Sequence, residues 1–495
     1  MAGDPIEHVV LLMLENHSFD QMLGCLQDIC SDLDGIDSSA TPRFNLDLDG
    51  TRVLQIPTDE QQFERDPSHE TVDVLEQLAD GNAGFVQNFH RRLPGNTAND
   101  RQDVMSYYPL DFLPALHTLG RHFTVCDRWF SSLPGPTWPN RFFALSGTSR
   151  GRVLMPGGLK NLRVGEAMCQ DQVTLFDRLS EAGKSWRIYY YDFPISLVLD
   201  RQRQAHNLAN YSLIKHFFAD AAAPEPFPDF VFIEPKYLGA DQNDDHPPHN
   251  VFKAEKLVAD VYNAVRSNSA LWGCTILVIT YDEHGGFYDH VVPPPAPPPD
   301  EYREEWTFDQ LGVRVPAILV SPWVRAGVVH TQFDHTSLLK YLTDKWALGP
   351  LGERTRTANS IGTALTERAA RETTPLFIRV PYSDLIPPKP ELEQQDESRH
   401  HRAIRAFATF LATEEAVVAG DLVDILARGA GWWVRAQDFI GTALQRFGRR
   451  LARPQDRQRE NRVAAIAQVA RARIGSTERP PEAGANGSQS SPAAD

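Results

Sequence analysis

Six short apolar, largely β-branched runs punctuate the first two-thirds of the chain: Val9–Leu14, Phe123–Cys126, Trp186–Tyr190, Phe230–Ile233, Thr275–Thr280 and Val315–Val320. Each has strand length, and unbroken apolar character is what a strand covered on both faces requires. Between some of them lie helical patterns. The clearest is Phe252–Val265, where Leu257, Val258, Val261, Tyr262 and Val265 share one face. Strands alternating with helices predict an α/β fold with a mostly parallel central sheet flanked by helices. Such sheets bind ligands beyond the carboxyl ends of their strands, so the residues just after each run are the first candidates for a site.

After Leu14 comes Glu15-Asn16-His17-Ser18-Phe19-Asp20-Gln21, and after Thr280 comes Tyr281-Asp282-Glu283-His284-Gly285-Gly286. Glu15, Asn16, Asp282 and Glu283 together offer oxygen donors suited to a hard divalent cation such as Ca²⁺, Mg²⁺ or Mn²⁺. The alternative for the first pair is helix capping. Ser18 and Gln21 have capping-box spacing, which leaves Glu15 and Asn16 unexplained. The alternative for the second is a surface turn, although acids directly after a buried strand are costly without a partner. Gly285 and Gly286 allow the backbone a close approach.

After Ile233 comes Glu234, then Asp244-Asp245-His246-Pro247-Pro248-His249. The prolines stiffen an Asp245-x-x-x-His249 pair that either aims two ligands at one point, lets Asp245 orient a histidine, or is a solvent loop. His335 reads equally as a site residue or a helix-start histidine, and His69 is unremarkable alone. Thr137, in Leu133-Pro134-Gly135-Pro136-Thr137-Trp138-Pro139-Asn140-Arg141, precedes an expected helix over Asn140–Leu145. A hydroxyl near a helix N-terminus can meet a phosphate or simply cap the helix. Asn140 and Arg141 are candidate donors to phosphoryl oxygens.

The chain has 495 residues and a net charge of −16, which leaves no cationic surplus for nucleic acid. A single phosphate substrate stays open, since a cation sets the local field. Five cysteines without CxxC spacing fit a reducing compartment, with a Cys25–Cys30 bridge left open. No conventional export signal precedes Val9–Leu14, and that run is too short to span a membrane. The expectation is a cytoplasmic or peripheral membrane protein, with export by another route also open.

Residues 1–390 read as the catalytic domain, with Pro293–Pro299 a stiff loop at the rim of its site. A polar, Pro-rich stretch over 385–400 suggests a boundary. Residues 391–475 read as a helical segment and 476–495 as a disordered tail. Within 430–453, Trp432, Trp433, Ala436, Ile440, Ala443, Phe447 and Leu451 form an apolar stripe beside Arg435, Arg446, Arg449 and Arg450. A basic amphipathic helix of this kind lies on an anionic membrane or packs on the protein, the second being the plainer reading.

Taken together, seven segments resemble, in order, the bacterial and plant phosphoesterase family of non-specific phospholipases C and related acid phosphatases. They are Glu15–Gly24, Asp66–His69, Pro136–Arg141, Ile233–Tyr237, Asn243–His249, Thr280–Val291 and Gly312–Pro316. The resemblance implies an alkaline-phosphatase-like fold and a metal held by Glu15, Asn16, Asp282 and Glu283. It also implies a nucleophile at Thr137 and a phosphate site lined by His69, Asp245, His246 and His249, with His335 completing it. His249 or His246 is the expected proton donor to the leaving group. Threonine at the nucleophile position points to phospholipase C action on a phospholipid; a phosphomonoesterase is the alternative, and an inactive binding relative a more distant one.

Overall fold

Val9–Leu14 lies at the centre of an eight-stranded sheet, and none of its six residues is more than 1% exposed. The computed structural model describes residues 4–155, 171–223, 226–239, 241–303, 306–381, 400–404 and 406–407. Its main strands are β1 (His8–Leu14), β2 (Thr124–Cys126), β3 (Trp186–Tyr190), β4 (Tyr211–Leu213), β5 (Phe230–Glu234), β6 (Thr275–Tyr281), β7 (Ala317–Val320) and β8 (Gly327–Val329). They run in the order β8-β2-β7-β6-β1-β5-β3-β4. Parallel partners flank β1 on both sides, with Leu12 opposite Ile233 of β5 and Leu14 opposite Tyr281 of β6. Each fully covered side chain such as Leu12 or Ile279 contributes roughly 1.5–3 kcal/mol by leaving water.

The mostly parallel sheet is the one expected, with one difference. The Val315–Val320 run forms a strand over Ala317–Val320 that is antiparallel to both neighbours. Residues 282–316 form no helix among those described, so no crossover carries the chain to the opposite end of the sheet. The edge strands β4 and β8, three residues each, were too short to read from pattern.

Helices cover the sheet. They include α1 (Phe19–Leu23), α2 (Pro114–His122), α3 (Thr137–Ser146), α4 (Val251–Ser267) and α5 (His335–Trp346). Asn250 caps α4, its side chain accepting from the Phe252 amide. Glu255 of α4 is buried and accepts from the Ala115 and Leu116 amides at the start of α2. That junction joins two helices at a point where the dipole favours an acid. Ser18 caps α1 as expected, but Gln21 turns to His17 Nδ1 at 2.6 Å, so only half the capping box forms.

Cys25, Cys30, Cys126 and Cys274 are free thiols, so the Cys25–Cys30 bridge is absent. The Pro293–Pro299 loop is tied down by the carbonyls of Pro297 and Pro299, which accept from Arg354 and Glu353. Most of the 391–475 segment, including the 430–453 stripe, and all of the 476–495 tail lie outside the described residues. The part described, 400–404 with 406–407, is helical and packs into the catalytic core through Ala403, Ile404, Ala406 and Phe407.

Candidate active site

The register of the central strands brings the backbones of the expected ligands to one end of the sheet. Asp282 N donates to Leu14 O at 3.1 Å, and Glu15 N donates to Asp244 O at 2.8 Å, so the loops after β1, β5 and β6 leave the sheet side by side. Asn16 takes a left-handed conformation, φ +66°, which asparagine tolerates better than most residues. The two glycines serve this junction. A Cβ on Gly285 would stand 2.1 Å from Asn16 O, and one on Gly286 would meet Pro67 and Ser68 of the loop carrying His69. Their freedom is spent on backbone against backbone.

Glu15, Asn16, Thr137, Asp282 and Glu283 are all fully buried. Both Glu15 carboxylate oxygens, Asn16 Oδ1, Thr137 Oγ1, Glu283 Oε1 and Asp244 Oδ2 lack a hydrogen bond among the described residues. Each such group ordinarily costs about 1–3 kcal/mol, more when charged. A concentration of them at strand ends marks a binding site. The donor chemistry of Glu15, Asn16, Asp282 and Glu283 is of the kind that could hold a hard divalent cation. Two mixed groups beside it, Asp66-His69-His246 and Asp244-His249-His401, each bring donor atoms within 4.8 Å of one another and could also hold a metal ion.

The electrostatics point the same way. Burial holds Glu15 well above the usual carboxylate range; Arg141 opposes this, while Asp282, Asp244 and Glu283 add to it. Asp282 is pushed up to about 6 by burial against the pull of Arg141. For Glu283 burial also pushes upward, but His69 and His284 outweigh it and the carboxyl is lowered. His69 is raised to about 9: burial opposes, but Glu283, Asp66 and Glu70 prevail.

Thr137 opens α3, and Arg141 lies one turn further along the same face. Arg141 is less a phosphate donor than a tie between acids. Its Nε donates to Asp282 Oδ2 at 2.9 Å and its Nη2 sits 3.0 Å from Glu15 Oε1, leaving Nη1 without a hydrogen bond. Asn140 is engaged within its own loop, accepting from Leu133 N and donating to Gly135 O, so it splints the turn that presents Thr137. His335 accepts from Trp129 Nε1 and donates through Nε2 to Asp282 O at 2.7 Å; it props a ligand strand with both nitrogens occupied.

The Asp-Asp-His loop assigns its two acids differently from the spacing argument. Asp245 points away, accepting from Tyr281 OH at 2.5 Å and lying near His17. Asp244 is the partner of His249, with Oδ1 2.5 Å from Nδ1. Burial holds Asp244 well above its usual range and depresses His249 to about 3, which favours the uncharged form of each. His246 donates from Nδ1 to Pro247 O at 2.6 Å, which leaves a lone pair on Nε2. His69 is fixed in the same manner by Pro67 O and turns Nε2 toward Asn16 and Glu283.

Sequence reasoning missed the His400-His401 pair, whose only signal was two adjacent histidines in a stretch read as a domain boundary. His400 Nε2 is 3.3 Å from Glu15 Oε1, and its ring stacks on His246 with centroids 5.7 Å apart. His401 packs against His246 and His249.

Residues 6–349 match the model of the Phosphoesterase family. The chain is 35% identical over 379 residues to non-specific phospholipase C5 of Arabidopsis thaliana, covering 68% of this chain and 69% of that one. It is 29% identical to phospholipase C B of Mycobacterium tuberculosis, covering 72% and 78%. Among solved structures, a protein of the alkaline phosphatase superfamily from Vibrio parahaemolyticus matches with a TM-score of 0.31 and 13% identity, covering 69% and 78%. The chain belongs to the Phosphoesterase family and is a hydrolase acting on phosphoric ester bonds.

Proposed function

We propose that this protein is a metal-dependent phosphoesterase that cleaves phospholipids in the phospholipase C manner through a phosphothreonine intermediate. The cluster of buried oxygens without hydrogen bonds, beside a threonine at a helix N-terminus, carries this reading. A divalent cation, when bound, supplies charge neutralisation and lowers the pKa of a hydroxyl beside it. Glu15, Asn16, Asp282 and Glu283 would hold it, and Arg141 ties Glu15 to Asp282.

Thr137 Oγ releases its proton to solvent and attacks phosphorus, the Oγ–P bond forms, and the bond to the diacylglycerol oxygen breaks. The first amides of α3, with the one Arg141 nitrogen not spent on Glu15 and Asp282, face the developing charge. His249, oriented by Asp244, delivers the proton to the leaving oxygen. Water then displaces the phosphorylated head group from Thr137 and restores the hydroxyl. Full burial of Thr137 favours a second reading, a phosphomonoesterase closed around a small, doubly charged phosphate.

Turnover of phosphatidylcholine and of p-nitrophenyl phosphate by the metal-loaded enzyme separates the two. Diacylglycerol release that disappears in Glu283→Gln supports the lipase. Rapid monoester turnover with intact lipid moves the protein to the phosphomonoesterase reading.

A further inference from the structure

We infer that His400, from beyond the family-matched region, is a further ligand of the cation held by Glu15. This rests on the metal-dependent reading above and extends the ligand set with a nitrogen donor. Four other buried histidines show what an ordinary structural histidine does here. His17 uses both nitrogens, on Gln21 and the Asp245 carbonyl; His117 bonds Met22 O; His284 bonds Gln77; His335 is satisfied on both sides. His400 is equally buried, yet neither of its nitrogens makes a hydrogen bond among the described residues. Its Nε2 instead stands 3.3 Å from Glu15 Oε1, the carboxylate oxygen that Arg141 Nη2 also approaches, to 3.0 Å. An imidazole carries a donor and an acceptor, and burying both unmet is costly unless something else is bound. Two donor atoms turned to one another at that separation can share a metal ion as neighbouring ligands.

The placement is built. Phe407, on the same helical stretch, packs edge-on against Trp138 and Phe193, and Ile404 and Ala403 are fully buried. His246 lies parallel to the His400 ring and Tyr237 meets it at 66°, which fixes the imidazole plane. Trp138 comes directly after Thr137, so the segment is anchored on the helix that presents the nucleophile. A nitrogen ligand moves the site away from Ca²⁺, which takes oxygen, toward Mn²⁺ or Zn²⁺.

Calorimetric titration of the metal-depleted full chain with Mn²⁺ and with Ca²⁺ tests this, using wild type, Glu283→Gln, His400→Ala and His400→Phe. The phenylalanine variant keeps the ring packing and removes only the nitrogens. Both His400 variants are expected to weaken Mn²⁺ binding about tenfold or more while changing Ca²⁺ binding by much less. The visible absorption of bound Co²⁺ is expected to shift in both. Unchanged Mn²⁺ affinity in both variants, with Glu283→Gln impaired, overturns the His400 assignment and leaves the metal reading intact. No Mn²⁺ binding by wild type overturns both. Equal metal affinity with raised activity in the His400 variants would make the segment a cover and would also overturn the assignment.

Discussion

Arg314→Met should be among the most destabilising single substitutions in this protein, although Arg314 is not among the residues proposed to touch substrate or metal. The guanidinium is fully buried. It donates to Asp289 Oδ1 at 2.8 Å, to Asp20 Oδ1 at 2.9 Å, and to the carbonyls of Asp34 and Asp127. It also lies over the Phe19 ring. Methionine keeps much of the stem's packing and removes every donor. Two buried carboxylates then rely on His290, Gln55 and backbone amides. Breaking a buried ion pair from one side costs about 3–5 kcal/mol. At about 2 °C per kcal/mol for a large domain, Tm should fall by roughly 6–10 °C at pH 7. The deficit should narrow at pH 4. Burial already raises the Asp289 carboxyl against the pull of Arg314, and without the arginine it rises further. A carboxyl raised in the folded state costs stability above its unfolded pKa and nothing below it. Thermal unfolding monitored by circular dichroism at both pH values measures this. A fall of less than about 2 °C at pH 7, or a deficit that grows at pH 4, would refute the reasoning.

His290 is raised from 6.5 to about 9, with burial outweighed by Asp20 and Asp34. Its contribution is full below pH 6.5, is lost as pH rises to about 9, and amounts to about 3 kcal/mol. Urea midpoints at pH 6 and pH 9 should converge in His290→Asn. Asp244→Asn should lower kcat about 10–100-fold by releasing His249, whereas Asp245→Asn should mainly lower Tm; steady-state rates and melting curves of the two variants check this. Removing the cation with a chelator leaves Glu15 with Asp282, Asp244 and Glu283 as neighbouring buried acids. Because burial raises Glu15, Asp244 and Asp282, the metal-free protein should gain stability from pH 7 to pH 5, and Mn²⁺ should flatten that slope in melting curves taken across this range.

Much of the sheet was legible because both of its faces are covered, so β1, β5 and β6 carry unbroken apolar runs that need no tertiary information. The direction of β7 was not legible. It depends on the path of residues 282–316, and an apolar run reads the same in either direction. Glu15, Asn16, Asp282 and Glu283 could be picked out as candidates because each lies just past the end of a strand. The exchange of Asp245 for Asp244 could not, since spacing along a loop does not say which side chain turns inward. Arg141 and His335 carry chemistry-bearing groups that the fold spends on neighbours. His400 stood furthest from reach, because a polar stretch preceding a helical segment gives no hint that its first turn enters the core.

Acid-quenched turnover coupled to peptide mass spectrometry tests the central claim most directly. Metal-loaded wild-type protein mixed with phosphatidylcholine should carry a phosphocholine group on Thr137, and Thr137→Val should bind Mn²⁺ normally while losing both the adduct and diacylglycerol release. Undiminished turnover by Thr137→Val would contradict covalent catalysis at this residue.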